Sequence, residues 1–219
     1  MLARRIGIID SGYKLDQQHL VLESASFQLT AQGVQQSIGG LDDNGHGSAV
    51  LPIISEHSPE SRFLVAKVLD EKGRSSVAQL VAALYWLLEQ GVSLINLSAG
   101  VAQSRVSLQD ACQAATEQGV LLFASSPAMG APVYPASYSQ VFSVTGDGRC
   151  STDQWSWLQA ENAEFAAHVR GPVPHAGSSM ACAHLSGIVA EQLARGRASA
   201  DVYAYLQRHA YRIGAQQRE

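Results

Sequence analysis

Three short stretches of this 219-residue chain carry side chains suited to act together as nucleophile, base and acid. In Gly177-Ser178-Ser179-Met180-Ala181, small hydroxyl residues open an apolar segment that runs to residue 193. A serine on the first turn of a helix sits among unpaired backbone N–H groups at the positive end of the macrodipole, where an oxyanion is stabilised. In Asn44-Gly45-His46-Gly47, glycines on both sides of a histidine allow tight turns and close backbone approach. Asp10, with Ser11 and Gly12, follows the apolar run Ile6-Gly7-Ile8-Ile9. It therefore stands at the carboxyl end of an expected strand, where functional groups of open α/β sheets gather. A serine hydroxyl becomes a good nucleophile when an imidazole takes its proton, and a carboxylate fixes the imidazole tautomer and stabilises the imidazolium. Each stretch alone has a plainer reading: a capping serine, a surface histidine, a turn aspartate. Together, in the order Asp10, His46, Ser179, they favour catalysis.

The elements that must position these residues follow from apolar periodicity. Strands are expected at 6–9, 62–68, 92–97 and 120–124, with shorter ones at 141–144 and 165–169. Helices are expected at 76–90, 108–118 and 180–193, closed by Gly91, Gly119 and Gly196. Residues 13–40 are polar and read as loop with one short strand at 26–30. Ser199 is expected to cap a surface helix through His209, with a frayed tail from Gly214. Strands alternating with helices at this spacing predict an α/β fold, a three-layer αβα sandwich around a mostly parallel sheet. A single domain over 1–219 is expected, with a core over about residues 4–195 and a C-terminal helix and tail over 196–219.

Composition narrows the function classes. Apolar residues make up 46% and charged residues 16%, which fits a well-filled globule and not a disordered chain. A net charge of −4 gives no basis for nucleic-acid or anionic-membrane binding. No apolar run approaches the roughly twenty residues of a membrane span. Cys112, Cys150 and Cys182 are an odd count without metal-ligand spacing, so a reducing, cytoplasmic setting is expected.

At its three motifs the chain resembles the subtilisin-like serine protease family. Ile8-Ile9-Asp10-Ser11-Gly12 matches the family's aspartate motif, Asn44-Gly45-His46-Gly47-Ser48 its histidine motif, and Gly177-Ser178-Ser179-Met180-Ala181 its serine motif. Val65-Ala66-Lys67-Val68-Leu69 resembles the strand before the family's central helix, and Tyr134-Pro135 a family position with a cis bond. Ile95-Asn96-Leu97-Ser98-Ala99-Gly100 resembles the segment lining one side of the substrate cleft. The resemblance implies peptide-bond hydrolysis with Asp10, His46 and Ser179 as triad. It also implies a substrate pocket walled by Ser98, Ala99 and Gly100 on one side and Ala124, Ser125 and Ser126 on the other.

Three departures qualify that picture. Aligned without gaps from Gly119, Ala128 stands where the family has an asparagine that donates to the oxyanion, and Pro127 replaces a glycine. Neither side chain donates, and Pro127 has no N–H. The backbone N–H of Ser179 is left as one oxyanion donor, with Ser125, Ser126 or a partner chain as sources of another. Ala49 and Ala183 stand where the family has a histidine and a proline. Nothing ahead of Ile6 reads as a propeptide, and the family's calcium-carrying loops read as trimmed, so no metal or cofactor is expected. Asp42-Asp43 reads as a solvated turn, since calcium needs more oxygen ligands. Cys182 reads as a buried small hydrophobe and His184 as structural; His57, His168 and His175 are left without a role. The expected function is a cytoplasmic serine endopeptidase of narrow specificity that matures a peptide or protein precursor. The alternative is a pseudoprotease, or a partner-dependent subunit, that binds peptides through the same cleft.

Overall fold

The computed structural model describes residues 4–215. Side chains alternate across a strand, so a strand covered on both faces is apolar throughout. The first strand, β1 (Arg5–Asp10), is of this kind. Ile6 and Ile8 enter one core cluster and Ile9 the other. By the same alternation Asp10 shares the face of Ile6 and Ile8.

The other strands are β2 (Val21–Thr30), β3 (Gly33–Ile38), β4 (Arg62–Lys67), β5 (Leu94–Leu97), β6 (Leu121–Ser125), β7 (Phe142–Gly146), β8 (Trp155–Trp157), β9 (Phe165–Ala167) and β10 (Arg212–Ile213). They form one sheet in the order β10-β8-β9-β7-β6-β5-β1-β4-β2-β3. Among the described strands β2/β3 and β8/β9 pair antiparallel, while β1, β4, β5, β6 and β7 are a continuous parallel block. Among the described residues five α-helices cover it: α1 (His46–His57), α2 (Val77–Glu89), α3 (Val106–Glu117), α4 (Ser178–Ala194) and α5 (Val202–Arg208). Residues of α1, α4 and α5 share the cluster of Ile6 and Ile8, and those of α2 and α3 share the cluster of Ile9. The α/β sandwich expected from the sequence is the fold observed.

Helix α4 is buried on nearly every side from Met180 to Ala190, as a helix apolar all round must be. Its small residues let α1 lie close: a Cβ on Gly187 would stand 2.8 Å from His57 Cβ. Because α1 and α4 lie on the face of Asp10, the starts of both helices are brought toward the end of β1.

Four expectations need correction. Residues 13–40 are not mainly loop: a 3₁₀ turn (Leu15–Leu20) leads into the hairpin of β2 and β3. Strand β3 is polar and has no buried residue, so it carries no apolar alternation to read. Strands β8 and β10 are too short for a periodic signal. Ser199 opens a 3₁₀ turn (Ser199–Asp201) and does not cap α5, whose Val202 and Leu206 are fully buried. The tail holds at Gly214, whose N–H donates to Trp157 O at 2.8 Å; the expectation for 216–219 lies outside the described residues.

Candidate active site

Asp10 ends β1 with its side chain fully buried. Its Oδ1 accepts from the backbone N–H of Ser11 at 2.7 Å and from His46 Nδ1 at 2.8 Å. An ionised carboxylate only accepts, so the proton between them sits on Nδ1 and leaves Nε2 as the basic nitrogen. Oδ2 of Asp10 is buried and has no partner among the described residues. Burial lowers the His46 pKa, but the Asp10 hydrogen bond and the charges of Asp10 and Asp42 outweigh it and raise the net value.

Two glycines make the start of α1 possible. Gly45 is the N-cap with φ 96°, a left-handed conformation that a side chain would strain. Gly47 lies against the turn after β1: a Cβ there would stand 2.2 Å from Gly12 O and 3.2 Å from Asp10 Oδ1. Its N–H donates to Ser11 Oγ at 2.8 Å, tying helix to strand end. Asp42 is no solvated turn residue. It accepts from the backbone N–H groups of Asn44, Gly45 and Ser48 and from the Ser48 hydroxyl. Burial raises its pKa, yet those hydrogen bonds prevail and bring it down to about 2. The sequence reading missed this anchor, since Asp42 stands four residues before His46 and outside the N-cap position, which Gly45 holds. Asp43 instead pairs with Lys67 at 2.9 Å.

Ser178 and Ser179 are the first two residues of α4, and Ser179 is half-buried. The Ser179 backbone N–H meets no backbone acceptor among the described residues, as expected of a helix start aimed at an anion. His175 lies in the turn before it, its ring perpendicular to that of His46 with centroids 6.2 Å apart. The Nε2 side of His46 makes no hydrogen bond among the described residues, so its basic nitrogen is uncommitted.

The two expected pocket walls are neighbours in the sheet: Leu97 of β5 pairs with Ala124 of β6. Ser98 is held by Asn96 Nδ2, and Asn96 in turn by Ser186 of α4, a buried polar link from wall to helix. Ala99 is buried and Gly100 exposed. Ser126 is committed elsewhere: its hydroxyl donates to Asn162 O and its N–H to Val144 O. Ser125 is half-buried and its hydroxyl has no partner among the described residues. Pro127 is half-buried and Ala128 to Gly130 are exposed. Beside Ala128 opens a cavity of about 380 Å³ that Thr145, Gly146, Arg149 and Leu158 also line. Arg149 is clamped there by the Asp147 carboxylate, with 2.9 and 2.6 Å contacts. Among the described residues no cluster of His, Cys, Asp or Glu is arranged to hold a metal.

The remaining histidines lie apart from this centre. His184 Nε2 donates to Arg170 O at 2.9 Å, so Nδ1 accepts from His57 Nε2 at 3.0 Å. Burial pushes the His184 pKa down to about 4. Cys182 is fully buried and its thiol pKa is raised by burial, so it is inert packing. The Tyr134–Pro135 bond is cis, as the resemblance implies, and so is Val173–Pro174.

A model described as the subtilase family matches residues 5–210. The minor extracellular protease Epr of Bacillus subtilis (strain 168) is 33% identical over 153 residues, covering 64% of this chain and 23% of Epr. The M-protease of Shouchella clausii (strain KSM-K16) is 27% identical over 207 residues, covering 85% of this chain and 53% of that protein. Subtilisin BL of Lederbergia lenta is 26% identical over 207 residues, covering 85% of this chain and 74% of its own. The chain thus spans about a quarter of Epr and about half of M-protease.

Proposed function

The chain belongs to the subtilase family of serine proteases, and from that premise we propose that it is a serine endopeptidase with Asp10, His46 and Ser179 as triad. Ser179 attacks the scissile carbonyl, His46 takes its proton through Nε2 and returns it to the leaving amine, and Asp10 holds the imidazole. The observation that carries this reading is the 2.8 Å bond between His46 Nδ1 and a fully buried Asp10. A buried carboxylate aimed at a half-exposed imidazole is costly as mere packing and useful as a base holder.

The finer reading is an enzyme of narrow specificity and low intrinsic rate, acting inside the cell on a peptide or protein precursor as one catalytic domain. Its support is the oxyanion side, where Ala128 and Pro127 offer no side-chain donor and Ser126 is committed elsewhere. Three free, buried cysteines fit an intracellular setting. The same bare oxyanion side favours a second reading, in which a partner subunit completes the site or the cleft only binds peptides.

Fluorophosphonate labelling of the wild type and of Ser179→Ala decides between them. Labelling that disappears in Ser179→Ala is expected of a working triad. Folded protein that never labels, pure or in lysate, would overturn the proteolytic reading; labelling only in lysate points to the partner.

A further inference from the structure

The cavity beside Ala128 belongs neither to the triad nor to the two expected walls, and its lining suits a ligand. At about 380 Å³ it falls in the range of roughly 300–1,000 Å³ usual for ligand pockets. Met129, Leu158, Ala160 and Ala163 give it apolar surface. Met129 is 74% exposed, so it stands at the mouth, where an adaptable thioether can close on an apolar group.

Two polar groups in this lining have unused donors. Thr145 is 4% exposed, and its hydroxyl has no partner among the described residues. A hydroxyl so buried costs stability unless something accepts from it. Arg149 spends Nε and Nη2 on Asp147, at 2.9 and 2.6 Å, and the two N–H groups of Nη1 stay free among the described residues.

Charge narrows the ligand further. Asp147 is 5% exposed, and besides the guanidinium it accepts from Arg149 N–H at 2.9 Å and Ser156 Oγ at 2.7 Å. The guanidinium is thus already paired, and a ligand carboxylate would enter beside a second carboxylate with no spare positive charge to balance it. A neutral carbonyl oxygen meets the free donors without that cost. The complementary group is an apolar side chain beside an amide carbonyl, which is what a peptide residue offers.

The cavity also lies where a peptide would reach it. It shares Ala128 with the oxyanion side. Gly146, in the same lining, backs onto the start of α4: a Cβ there would stand 3.9 Å from the carbonyl carbon of Gly177, which caps the helix of Ser179. Resting on the reading that the cleft takes peptides, we infer that this cavity is a second recognition site for the same peptide. It seats one apolar residue of the size of Leu or Met, whose neutral backbone carbonyl accepts from Thr145 Oγ1 and Arg149 Nη1.

The test is a chemical-shift titration of the isotopically labelled full chain, carrying Ser179→Ala to prevent turnover, with N-acetyl-leucinamide. Shifts at Thr145, Gly146 and Arg149 are expected, with a dissociation constant on the order of 1 mM for a ligand this small. Thr145→Val should weaken binding about 2–10-fold. Ala160→Trp, which fills the cavity from an exposed position, should abolish it. N-acetyl-leucine, which carries a carboxylate, and N-acetylglycinamide, which lacks the side chain, should each bind about 10-fold more weakly. Acetyl-Gly-Leu-Gly amide should bind at least as tightly as N-acetyl-leucinamide. Circular dichroism confirms that each variant is folded. No shifts around Thr145, unchanged binding in both folded variants, or N-acetyl-leucine binding as well as its amide would overturn the inference. So would failure of the tripeptide amide where N-acetyl-leucinamide binds, because the occupant would then be a free small amide. None of these readouts needs a working Ser179, so the labelling experiment judges the proteolytic reading separately.

Discussion

The Asp10–His46 side and the Ala128 side of the cleft differ in how fully their polar groups are engaged. On the first, Ser11 and Gly47 tie the end of β1 to the start of α1, Asp42 ties the preceding loop to Ser48, and Asp10 holds the imidazole. On the second, the segment from Ser125 to Gly130 leaves the sheet for solvent, and the hydroxyl best buried in it is spent on Asn162. The first half carries the bonded Asp10–His46 pair; in the second, neither Pro127 nor Ala128 has a side-chain donor and the Ser126 hydroxyl is taken by Asn162. Proton transfer and charge stabilisation are separable contributions to rate, so the chain should retain the first and lack much of the second.

Ser179→Ala is the widest break. In subtilisin, removing the serine costs about 10⁶-fold in kcat, while removing the oxyanion asparagine costs about 10²–10³. If this chain starts without the latter contribution, its loss on Ser179→Ala should be about 10³–10⁴, measured with a peptide ester or the cognate peptide. A loss near 10⁶ would mean the oxyanion side is whole. The converse is Ala128→Asn, expected to raise kcat by about 10²-fold with little change in KM. No gain in a folded variant would show that the loop after Pro127 does not aim position 128 at the substrate.

Gly47→Ala attacks the Asp10–His46 half. The new methyl would press on Gly12 O and Gly12 N, both backbone atoms, and on the Asp10 carboxylate that His46 holds. The start of α1 must move, at about 1–3 kcal/mol in stability. Labelling of Ser179 should slow far more than the small shift in a urea midpoint suggests, since a misplacement of about 1 Å costs on the order of 10² in rate. Equal slowing and no loss of stability would mean the helix start tolerates the methyl by shifting away from the site.

The two halves were also unequally legible in the sequence. Asp10, His46 and Ser179 stand out because each follows or opens an apolar run, and the runs alternate clearly between strand and helix. The parallel block and the helices on its faces could be read for the same reason. The hairpin of β2 and β3 could not, because β3 is polar with only Val34 partly buried, and such an edge strand carries no alternation to mark it. Asp42 was hidden by its acidic neighbour Asp43, which made the pair look solvated. The loss of a donor at Ala128 was visible by alignment, but the commitment of Ser126 to Asn162 depends on a contact between residues 36 apart in sequence.

Histidine titration gives the smallest effect and separates site from scaffold. His46 has a pKa raised above its ordinary 6.5, so its charged form is favoured in the folded state. It contributes stability that is full below pH 6.5 and lost as pH rises through the raised value. His184 has the opposite sign: burial, with the nearby His57 and His168, pushes its pKa down to about 4 against the opposing hydrogen bond to the Arg170 carbonyl. Its contribution is full above pH 6.5 and is lost as pH falls toward 4, when the buried ring must charge. Urea midpoints of wild type should therefore fall between pH 6.5 and 4, and His184→Gln should flatten that fall. Labelling of Ser179 should instead rise with pH through an acid limb above 6.5, where neutral His46 becomes available as base. Asp10→Asn removes the charge that raises His46 and should move this limb to lower pH while slowing the plateau. A limb that stays in place in Asp10→Asn and shifts in His184→Gln would reverse the assignment of the two histidines.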